Sequence, residues 1–296
     1  MAASRLRQIL ADQGTMVVCP GVYDGLTARI ALASGYEALY MTGAGTTASR
    51  LGQPDLGVVT LPEMRETASM IAGLDKSIPL IADADTGFGG SLMVHRTVIE
   101  YIRAGVAALH LEDQATSKRC GHLLHKQLVT KDEFLSRIKA AVNARQSSGS
   151  DIVLIARTDS LATLGYDQAV SRLKAAINLG ADVAFLEGIS SKEQARRACE
   201  DLSPTPVLFN AVTGGVSPEL SVEEAKALGF RLMIFPGFAL EPVHKAVSEA
   251  ARHLKENGRL VMSGAGGPKD FFNIVGLKDA LAIDAASGEN LFQQGV

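Results

Sequence analysis

Eight short apolar segments recur along the chain, each followed by a polar or glycine-containing turn and then by a longer amphipathic stretch. The segments include IPLIADADTGFG, VAALHLEDQ and DIVLIARTDS. Unbroken apolar runs are typical of parallel strands that are buried on both faces. The intervening stretches have helical periodicity, and one of them, YDQAVSRLKAAINLG, ends on a glycine suited to a helix C-terminus. Eight successive strand–helix units predict a closed (β/α)8 barrel of the TIM type.

A doubly wound open sheet is the alternative architecture. Such sheets usually have fewer strands and often a glycine-rich phosphate loop after the first strand, and PGVYDGL matches GxGxxG poorly. We therefore favour one barrel domain over residues 1–296, a length that such barrels commonly reach. Residues 240–296 follow the eighth segment and predict a C-terminal helical extension that packs on another subunit.

Charge and composition exclude several classes of function. The net charge is −3 and the basic residues are scattered, so we expect no binding of nucleic acid or anionic membrane. No apolar run approaches the roughly 18 residues of a membrane span. The opening MAASRLRQILADQ predicts an amphipathic helix and lacks the apolar core of a signal peptide. Three widely spaced cysteines (Cys19, Cys120 and Cys199) indicate a reducing compartment, and we expect a cytoplasmic protein.

Polar side chains stand at the ends of six successive predicted strands. In a barrel these ends meet on one face, which is where barrel enzymes place their active sites. Any single residue of this kind could instead cap a helix or bond a loop, but six strand ends in register favour a site. The residues are Tyr40, Thr42, Asp83, Asp85, His110, Glu112, Asp113, Arg157, Asp159, Glu187 and Asn210.

The segment DADTGFGG is the strongest metal-binding candidate. Alternation along a strand predicts that Asp83 and Asp85 point to the same side, toward the barrel mouth. Glu112, after the next strand, adds a third oxygen ligand. A set of carboxylates with room for water suits Mg²⁺, or Mn²⁺, better than zinc, and no CxxC or HxxxH motif indicates a zinc site.

Arg157 and Asn210 are candidates for holding a substrate carboxylate, because a guanidinium offers bidentate hydrogen bonds. Glu187 could orient either of them. The alternative is that Arg157 forms salt bridges with Asp159 or Glu187 inside the barrel and meets no ligand.

The segment TSKRCGHLLHK places Cys120 after two cations, Lys118 and Arg119, and two residues before His122. These neighbours favour the thiolate and lower the pKa of the thiol. The alternative is an ordinary surface loop that contains a cysteine. Gly121 and the polar residues around it are typical of a mobile lid, and spacing alone leaves open whether the thiol would be a nucleophile or a proton donor.

The motifs KRCGH, DADTGFGG, HLEDQ, ARTD and FLEG, taken together, resemble those of the isocitrate lyase and phosphoenolpyruvate mutase superfamily. The resemblance extends from PGVYDGLTARIA to the C-terminal helices. It implies a Mg²⁺-dependent barrel enzyme that acts on a small dicarboxylate. It also implies a homotetramer made of dimers that exchange a C-terminal helix.

The resemblance also implies a role for each matching residue. Asp85 would bind Mg²⁺ most directly, with Asp83, Glu112 and Asp55 nearby or acting through water. The backbone amides of Thr42, Gly43 and Ala44 would hold the substrate carboxylate, and Cys120 would be the general acid. The remaining residues are those of the gating loop (Lys118, Arg119, Gly121, His122), those around the distal part of the substrate (Arg157, Glu187, Asn210) and Tyr40, a candidate for the C2 hydroxyl proton.

The implied reaction is a retro-aldol cleavage of a 2-hydroxy dicarboxylate. Cys120 argues against a phosphonate-forming mutase, which lacks this acid, and isocitrate lyases are longer chains with KKCGH. Methylisocitrate lyases commonly have arginine where this chain has Leu123. Fungal oxaloacetate hydrolases have serine where this chain has Pro236, which carries neither a hydroxyl nor an N–H group. We therefore expect a 2,3-dimethylmalate lyase-like enzyme, followed by oxaloacetate hydrolysis and methylisocitrate cleavage. A barrel that only binds a diacid is a further alternative.

Overall fold

Eight parallel strands form a closed barrel in the computed structural model, which describes residues 2–12, 14–121, 123, 125–260, 267–289 and 291–292. The strands are β1 (Val17–Val22), β2 (Leu39–Met41), β3 (Leu80–Asp83), β4 (Ala108–Glu112), β5 (Val153–Thr158), β6 (Val183–Leu186), β7 (Val207–Asn210) and β8 (Leu232–Phe235). They follow one another around the barrel in chain order, and β8 closes it by pairing with β1. The predicted (β/α)8 barrel is therefore confirmed.

Helices surround the barrel and continue beyond it. They are α1 (Ala2–Ala11), α2 (Gly25–Ala33), α3 (Gly43–Leu51), α4 (Leu61–Leu74), α5 (Ser91–Arg103), α6 (Lys131–Ser147), α7 (Leu161–Leu164), α8 (Tyr166–Leu179), α9 (Lys192–Leu202), α10 (Val222–Leu228), α11 (Leu240–Asn257), α12 (Pro268–Ile274) and α13 (Leu277–Ala286). Several start at a side-chain cap: Thr130, for example, accepts a hydrogen bond from the Glu133 amide at the start of α6. Among the described residues, none of the helices combines the length and apolar character that crossing a bilayer requires.

Two apolar clusters form the core. The larger one lies between the strands and the surrounding helices, and the smaller one fills the barrel with side chains such as Ile81, Ile155 and Phe185. α1 adds Leu6 to this inner cluster, which places it against the N-terminal end of the barrel. Because α1 covers the N-terminal end of the barrel, a site is expected at the C-terminal ends of the strands.

α11, α12 and α13 pack differently from the other helices. None of their described side chains is buried, although α11 is strongly amphipathic. Apolar side chains of α11 are exposed, including Val243 (45%), Val247 (61%) and Leu254 (48%). A helix with an exposed apolar face needs a partner surface. The predicted exchange of helices between subunits would supply one, and it stays a prediction.

Candidate active site

The turn after β3 places two buried carboxylates at the barrel mouth. β3 ends at Asp83, and Asp85 has a left-handed backbone with φ +46. Both carboxylates lie at the barrel mouth as predicted, but strand alternation is not the reason for the position of Asp85. The strand ends at Asp83, and Asp85 belongs to the turn that follows. The turn is held by the Asp85 amide, which donates a hydrogen bond to Oδ1 of Asp83 at 2.8 Å. A positive φ at a residue other than glycine is strained and is frequent at functional sites.

Lys118 joins two of the predicted metal ligands. Its Nζ lies 2.5 Å from Oδ1 of Asp55 and 2.5 Å from Oδ1 of Asp85. The ammonium group is buried, at 4% side-chain exposure. Burial alone would lower the pKa of Lys118, but Asp85 and the neighbouring carboxylates outweigh burial and raise it. Lys118 is thus a fixed positive charge at this point of the site.

Arg157 is surrounded by carboxylates on the other side of the mouth. Its Nε lies 3.2 Å from Oε2 of Glu112 and 2.9 Å from Oδ2 of Asp159, and its Nη2 lies 3.5 Å from Oε2 of Glu187. The salt bridges that we considered as an alternative are therefore present. Nδ2 of Asn210 donates to Oε2 of Glu187 at 2.9 Å, so Glu187 contacts both predicted substrate-binding residues.

Carboxylates outnumber cations in this group of largely buried side chains. Six carboxylates face three cations, an excess that is unfavourable at low dielectric unless protons or a metal cation compensate it. Burial accordingly raises the pKa of Asp83 and of Glu112, and raises that of Asp85 to about 6. The group consists of Asp55, Asp83, Asp85, Glu112, Asp159 and Glu187 with Lys118, Lys126 and Arg157.

The donor set fits Mg²⁺ in chemistry and charge. Neither carboxylate oxygen of Glu112 accepts a hydrogen bond from the part of the chain that the structure describes. Within that same part, no three histidine, cysteine or acidic side chains converge on one point as a closed metal cage would require. Mg²⁺ is commonly bound by one or two carboxylates and completed by water and substrate. The arrangement around Asp85 and Glu112 is compatible with such an open site.

Tyr40 is hydrogen-bonded to His110, which the sequence analysis placed at a strand end without assigning it a role. Its hydroxyl lies 2.9 Å from Nε2 of His110, and the two rings are stacked. Burial, with Arg157 adding to it, lowers the pKa of His110 to about 3, so the imidazole is neutral. A neutral His110 can accept the proton of Tyr40 on Nε2, which leaves Nδ1 3.6 Å from Oδ1 of Asp83.

Two of the three predicted carboxylate-binding amides already have partners. The Thr42 amide donates to the Val22 carbonyl at 3.1 Å, because it continues the pairing of β1 and β2. The Gly43 amide donates to Oδ2 of Asp83 at 3.2 Å. Ala44 is the remaining amide, in the first turn of α3 and close to its positive end. Pro236 directly follows β8 and packs on β1 at Gly21.

The loop that carries Cys120 lies folded over the site. The backbone amide of Cys120 donates to the Asp55 carbonyl at 3.1 Å. The side chain of Gln114 holds Arg119 twice, donating to its carbonyl at 2.9 Å and accepting from its amide at 3.0 Å. Gly121 contacts Arg157 and Glu187 closely. His122 lies outside the described residues, and its predicted role stays a prediction.

Two buried arginines hold the ends of this loop, and sequence reasoning did not include either of them. Nη1 of Arg137 donates to the Gln114 carbonyl at 2.7 Å. Nη1 and Nη2 of Arg172 both donate to the Val129 carbonyl at 3.0 Å. Arg137 lies on the buried face of α6, three residues after Phe134. The sequence signal for such a residue is a basic side chain on the otherwise apolar face of an amphipathic helix, where it needs a buried partner.

A cavity of about 300 Å³ adjoins the Lys118–Asp85 pair. Its walls are mainly apolar and include Val59, Leu61, Phe88 and Met93. The Lys118–Asp85 pair therefore lies next to apolar side chains as well as next to the carboxylates of the site.

Comparison with known proteins gives a consistent result. Residues 6–255 match the family model described as phosphoenolpyruvate phosphomutase. The 2,3-dimethylmalate lyase of Eubacterium barkeri is 41% identical over 255 residues, which cover 86% of each chain. A crystal structure of a 2,3-dimethylmalate lyase superposes with a TM-score of 0.98 at 52% identity, covering 100% of this chain and 98% of the other. An oxaloacetate acetylhydrolase bound to 3,3-difluorooxalacetate superposes with a TM-score of 0.97, also at 52% identity, covering 98% of both chains.

Proposed function

Because the chain belongs to the phosphoenolpyruvate mutase/isocitrate lyase superfamily, we propose that it is a Mg²⁺-dependent carbon–carbon lyase acting on a 2-hydroxy dicarboxylate. The substrate is 2,3-dimethylmalate or a close analogue, and the products are a 2-oxo acid such as pyruvate and a carboxylate. Relatives named as lyases, together with the motif resemblance that the family match confirms, support the reaction class.

The observation that carries this proposal is the position of the loop that carries Cys120. Gly121 contacts Arg157 and Glu187, and the Cys120 amide is bonded to the Asp55 carbonyl. The thiol thus belongs to a segment that closes on the polar side chains where a dicarboxylate would bind. A barrel that only binds a diacid has no need of a thiol at that position.

Mg²⁺, when bound, would supply Lewis-acid stabilisation of the negative charge that develops on the substrate. Asp85 would hold it directly, with Asp83, Glu112 and Asp55 nearby or acting through water. Mn²⁺ has the same ligand preference.

Each end of the substrate would have its own residues. A substrate carboxylate would take the place of one carboxylate that now faces Arg157, since the guanidinium can bind such a group through two hydrogen bonds. Asn210 would donate to the distal part of the substrate while Glu187 holds its amide. The Ala44 amide at the start of α3 would donate to the other carboxylate.

Two proton transfers complete the cleavage. The C2 hydroxyl would give its proton to the Tyr40 oxygen as Tyr40 passes its own proton to Nε2 of His110 and His110 releases its Nδ1 proton to Oδ1 of Asp83, so the imidazole stays neutral throughout. The C2–C3 bond then breaks, its electron pair goes to C3, and the Cys120 thiol protonates C3. Electrostatic stabilisation by Lys118 and Arg157 acts on the charge that appears at the transition state.

Pro236 and Leu123 support the choice of substrate. Pro236 lacks the hydroxyl that the resemblance places at this position in oxaloacetate hydrolases, and a site built on that hydrogen bond loses much of its activity without it. Leu123 lacks the charge that a third carboxylate would use. Oxaloacetate hydrolysis is the second candidate, because the similarity to oxaloacetate acetylhydrolase is as high as that to 2,3-dimethylmalate lyase.

A product assay tests the proposal. The purified protein is given 2,3-dimethylmalate, 2-methylisocitrate, isocitrate or oxaloacetate, each with Mg²⁺ and with a chelator, while pyruvate, glyoxylate and oxalate are followed separately. Mg²⁺-dependent pyruvate from 2,3-dimethylmalate is the expected result. Oxalate as the main product would establish the second candidate instead, and no turnover with any substrate would refute both.

We further propose a cytoplasmic homotetramer in which α11–α13 of one subunit pack on another. The exposed apolar side chains of these helices support the assembly. None of the three cysteines forms a disulfide, which is compatible with a reducing compartment.

A further inference from the structure

Lys126 bridges the loop of residues 115–127, which we call the Cys120 loop, to the barrel. Its Nζ donates to the Gly121 carbonyl at 2.7 Å and to Oδ1 of Asp159 at 2.8 Å. Its side chain is 6% exposed, and that of Asp159 is fully buried. We propose that Lys126 is a positioning residue that holds Gly121, and with it Cys120, over the active site.

The ends of the loop do not need Lys126. The two ends are joined to each other, because Gln114 pairs with Leu128 and the Ala115 amide donates to the Gln127 carbonyl at 2.7 Å. Arg137 and Arg172 hold the flanking carbonyls from behind. Lys126 acts at another place, because its bond to Gly121 fixes the middle of the loop next to Cys120.

The other partner of Lys126 connects the loop to substrate binding. Asp159 also accepts from Nε of Arg157 at 2.9 Å and from Nη2 at 3.2 Å. Although burial alone would raise it, Arg157 and Lys126 together lower the pKa of Asp159 to about 2. Lys126 therefore shares with Arg157 the charge of Asp159. When Lys126 is lost, Asp159 binds Arg157 alone, and less of the guanidinium is available to a dicarboxylate.

Alkylation of Cys120 by iodoacetamide measures this role without any substrate. Cys120 is half-buried, whereas Cys19 and Cys199 are buried, so Cys120 is the thiol that reports on the loop. In Lys126→Met we expect alkylation to be about 10- to 100-fold faster than in the native protein, the range for losing a hydrogen bond that involves a charged group. Hydrogen exchange of the amides of residues 115–121 should become faster in the same variant.

Lys131→Met is the matched control. Lys131 lies five residues further along the chain at the start of α6, and its Nζ donates to Oγ of Ser171 at 2.8 Å. The Lys131→Met substitution removes the same charge from a side chain that does not contact Gly121, so alkylation of Cys120 should stay at the native rate. Lys126→Gln, which keeps a donor for the Gly121 carbonyl but lacks the charge, should fall between native and Lys126→Met. This variant also provides the test if Lys126→Met does not fold.

An alkylation rate in Lys126→Met, or in Lys126→Gln if that variant is used, equal to the native rate would overturn the inference. Turnover is a separate readout that rests on the proposed function: we expect KM for the dicarboxylate to rise and kcat to fall, whereas loss of folded protein alone would lower kcat at constant KM. If the native chain shows no lyase activity but the alkylation rates differ as expected, the proposed function fails and the positioning role stands. If the native chain shows lyase activity but the variants are alkylated at the native rate, the proposed function stands and the positioning role of Lys126 fails.

Discussion

A methyl group added to the Cα of Gly121 would lie 2.5 Å from Nη2 of Arg157 and 3.0 Å from Cδ of Glu187. Gly121→Ala therefore requires the loop or the guanidinium to move. We expect kcat/KM to fall about 5- to 150-fold, corresponding to an overpacking cost of about 1–3 kcal/mol, mainly through a higher KM. Steady-state kinetics of Gly121→Ala with 2,3-dimethylmalate measures both kcat/KM and KM.

Gly73→Ala is the control for this substitution. Gly73 lies in α4, and an added methyl group there would meet no atom within 4 Å. Alanine is the better helix former, so this variant should keep native kinetics and gain about 0.5–1 kcal/mol of unfolding free energy. Equal kinetic losses in both variants would show that contact with Arg157 is not the cause.

Cys120→Ser should lower kcat about 100- to 10,000-fold, the range for loss of a general acid, because a serine hydroxyl is a much weaker acid than a thiol. Binding of pyruvate, measured by calorimetry, should be unchanged. Cys199→Ser is the control, since burial raises the pKa of the Cys199 thiol to about 12 and keeps it unreactive. Native turnover in Cys120→Ser would refute the proton-donor role.

The affinity for Mg²⁺ should weaken as the pH falls below about 6. Burial raises the pKa of Asp85 to about 6, and the protonated carboxyl is a poor cation ligand. The sign for the metal-free protein is the opposite: a raised folded-state pKa contributes stability at low pH that is lost as the pH rises through 6. Mg²⁺ titrations between pH 5 and 8 test the predicted loss of affinity. A dissociation constant for Mg²⁺ that does not change with pH would contradict it.

Val247→Glu should shift the assembly toward smaller species. Val247 is 61% exposed on α11, where we propose that another subunit covers it. A charge in an apolar interface costs much more than the same charge in water. Sedimentation velocity measures the mass, and Glu256→Gln on the same helix is a control for altered surface charge. A native-sized assembly in Val247→Glu would remove α11 from the interface.

Asp182→Asn should destabilise the barrel by about 1–2 kcal/mol without affecting turnover. Asp182 lies 2.9 Å from Arg7 and 2.5 Å from Arg145, and it also accepts from the Leu154 amide at 2.8 Å. It thereby ties α1 to the base of the barrel, away from the site. Glu224→Gln is the control, because it removes an ion pair with Lys192 that is exposed to solvent and should therefore change the unfolding free energy much less than Asp182→Asn does. Chemical denaturation measures both.

The sequence predicted the barrel because its strands are unbroken apolar runs, and this signal is local. It also predicted which strand ends carry polar side chains. It did not predict which amides remain available: the Thr42 amide is used by the pairing of β1 and β2, and the Gly43 amide by Asp83. These bonds depend on tertiary contacts that no local pattern records.

The same reason explains the residues that were missed. The Lys126 side chain reaches an acceptor 33 positions away, and that of Arg137 one 23 positions away. Their neighbours in the sequence give no indication of such partners. Asp85 shows the limit of alternation as a rule, since it ceases to apply where the strand ends.

Arg137 and Arg172 set the two ends of the Cys120 loop from helices that take no part in chemistry. The carbonyls of Gln114 and Val129 therefore stay in place whatever lies between them. We expect both attachment points to keep their register when the sequence between them is changed, because the two arginines bind backbone carbonyls and not side chains of the segment. Grafting the corresponding segment of a relative with a different substrate between these two arginines is a direct route to altered specificity on an unchanged barrel.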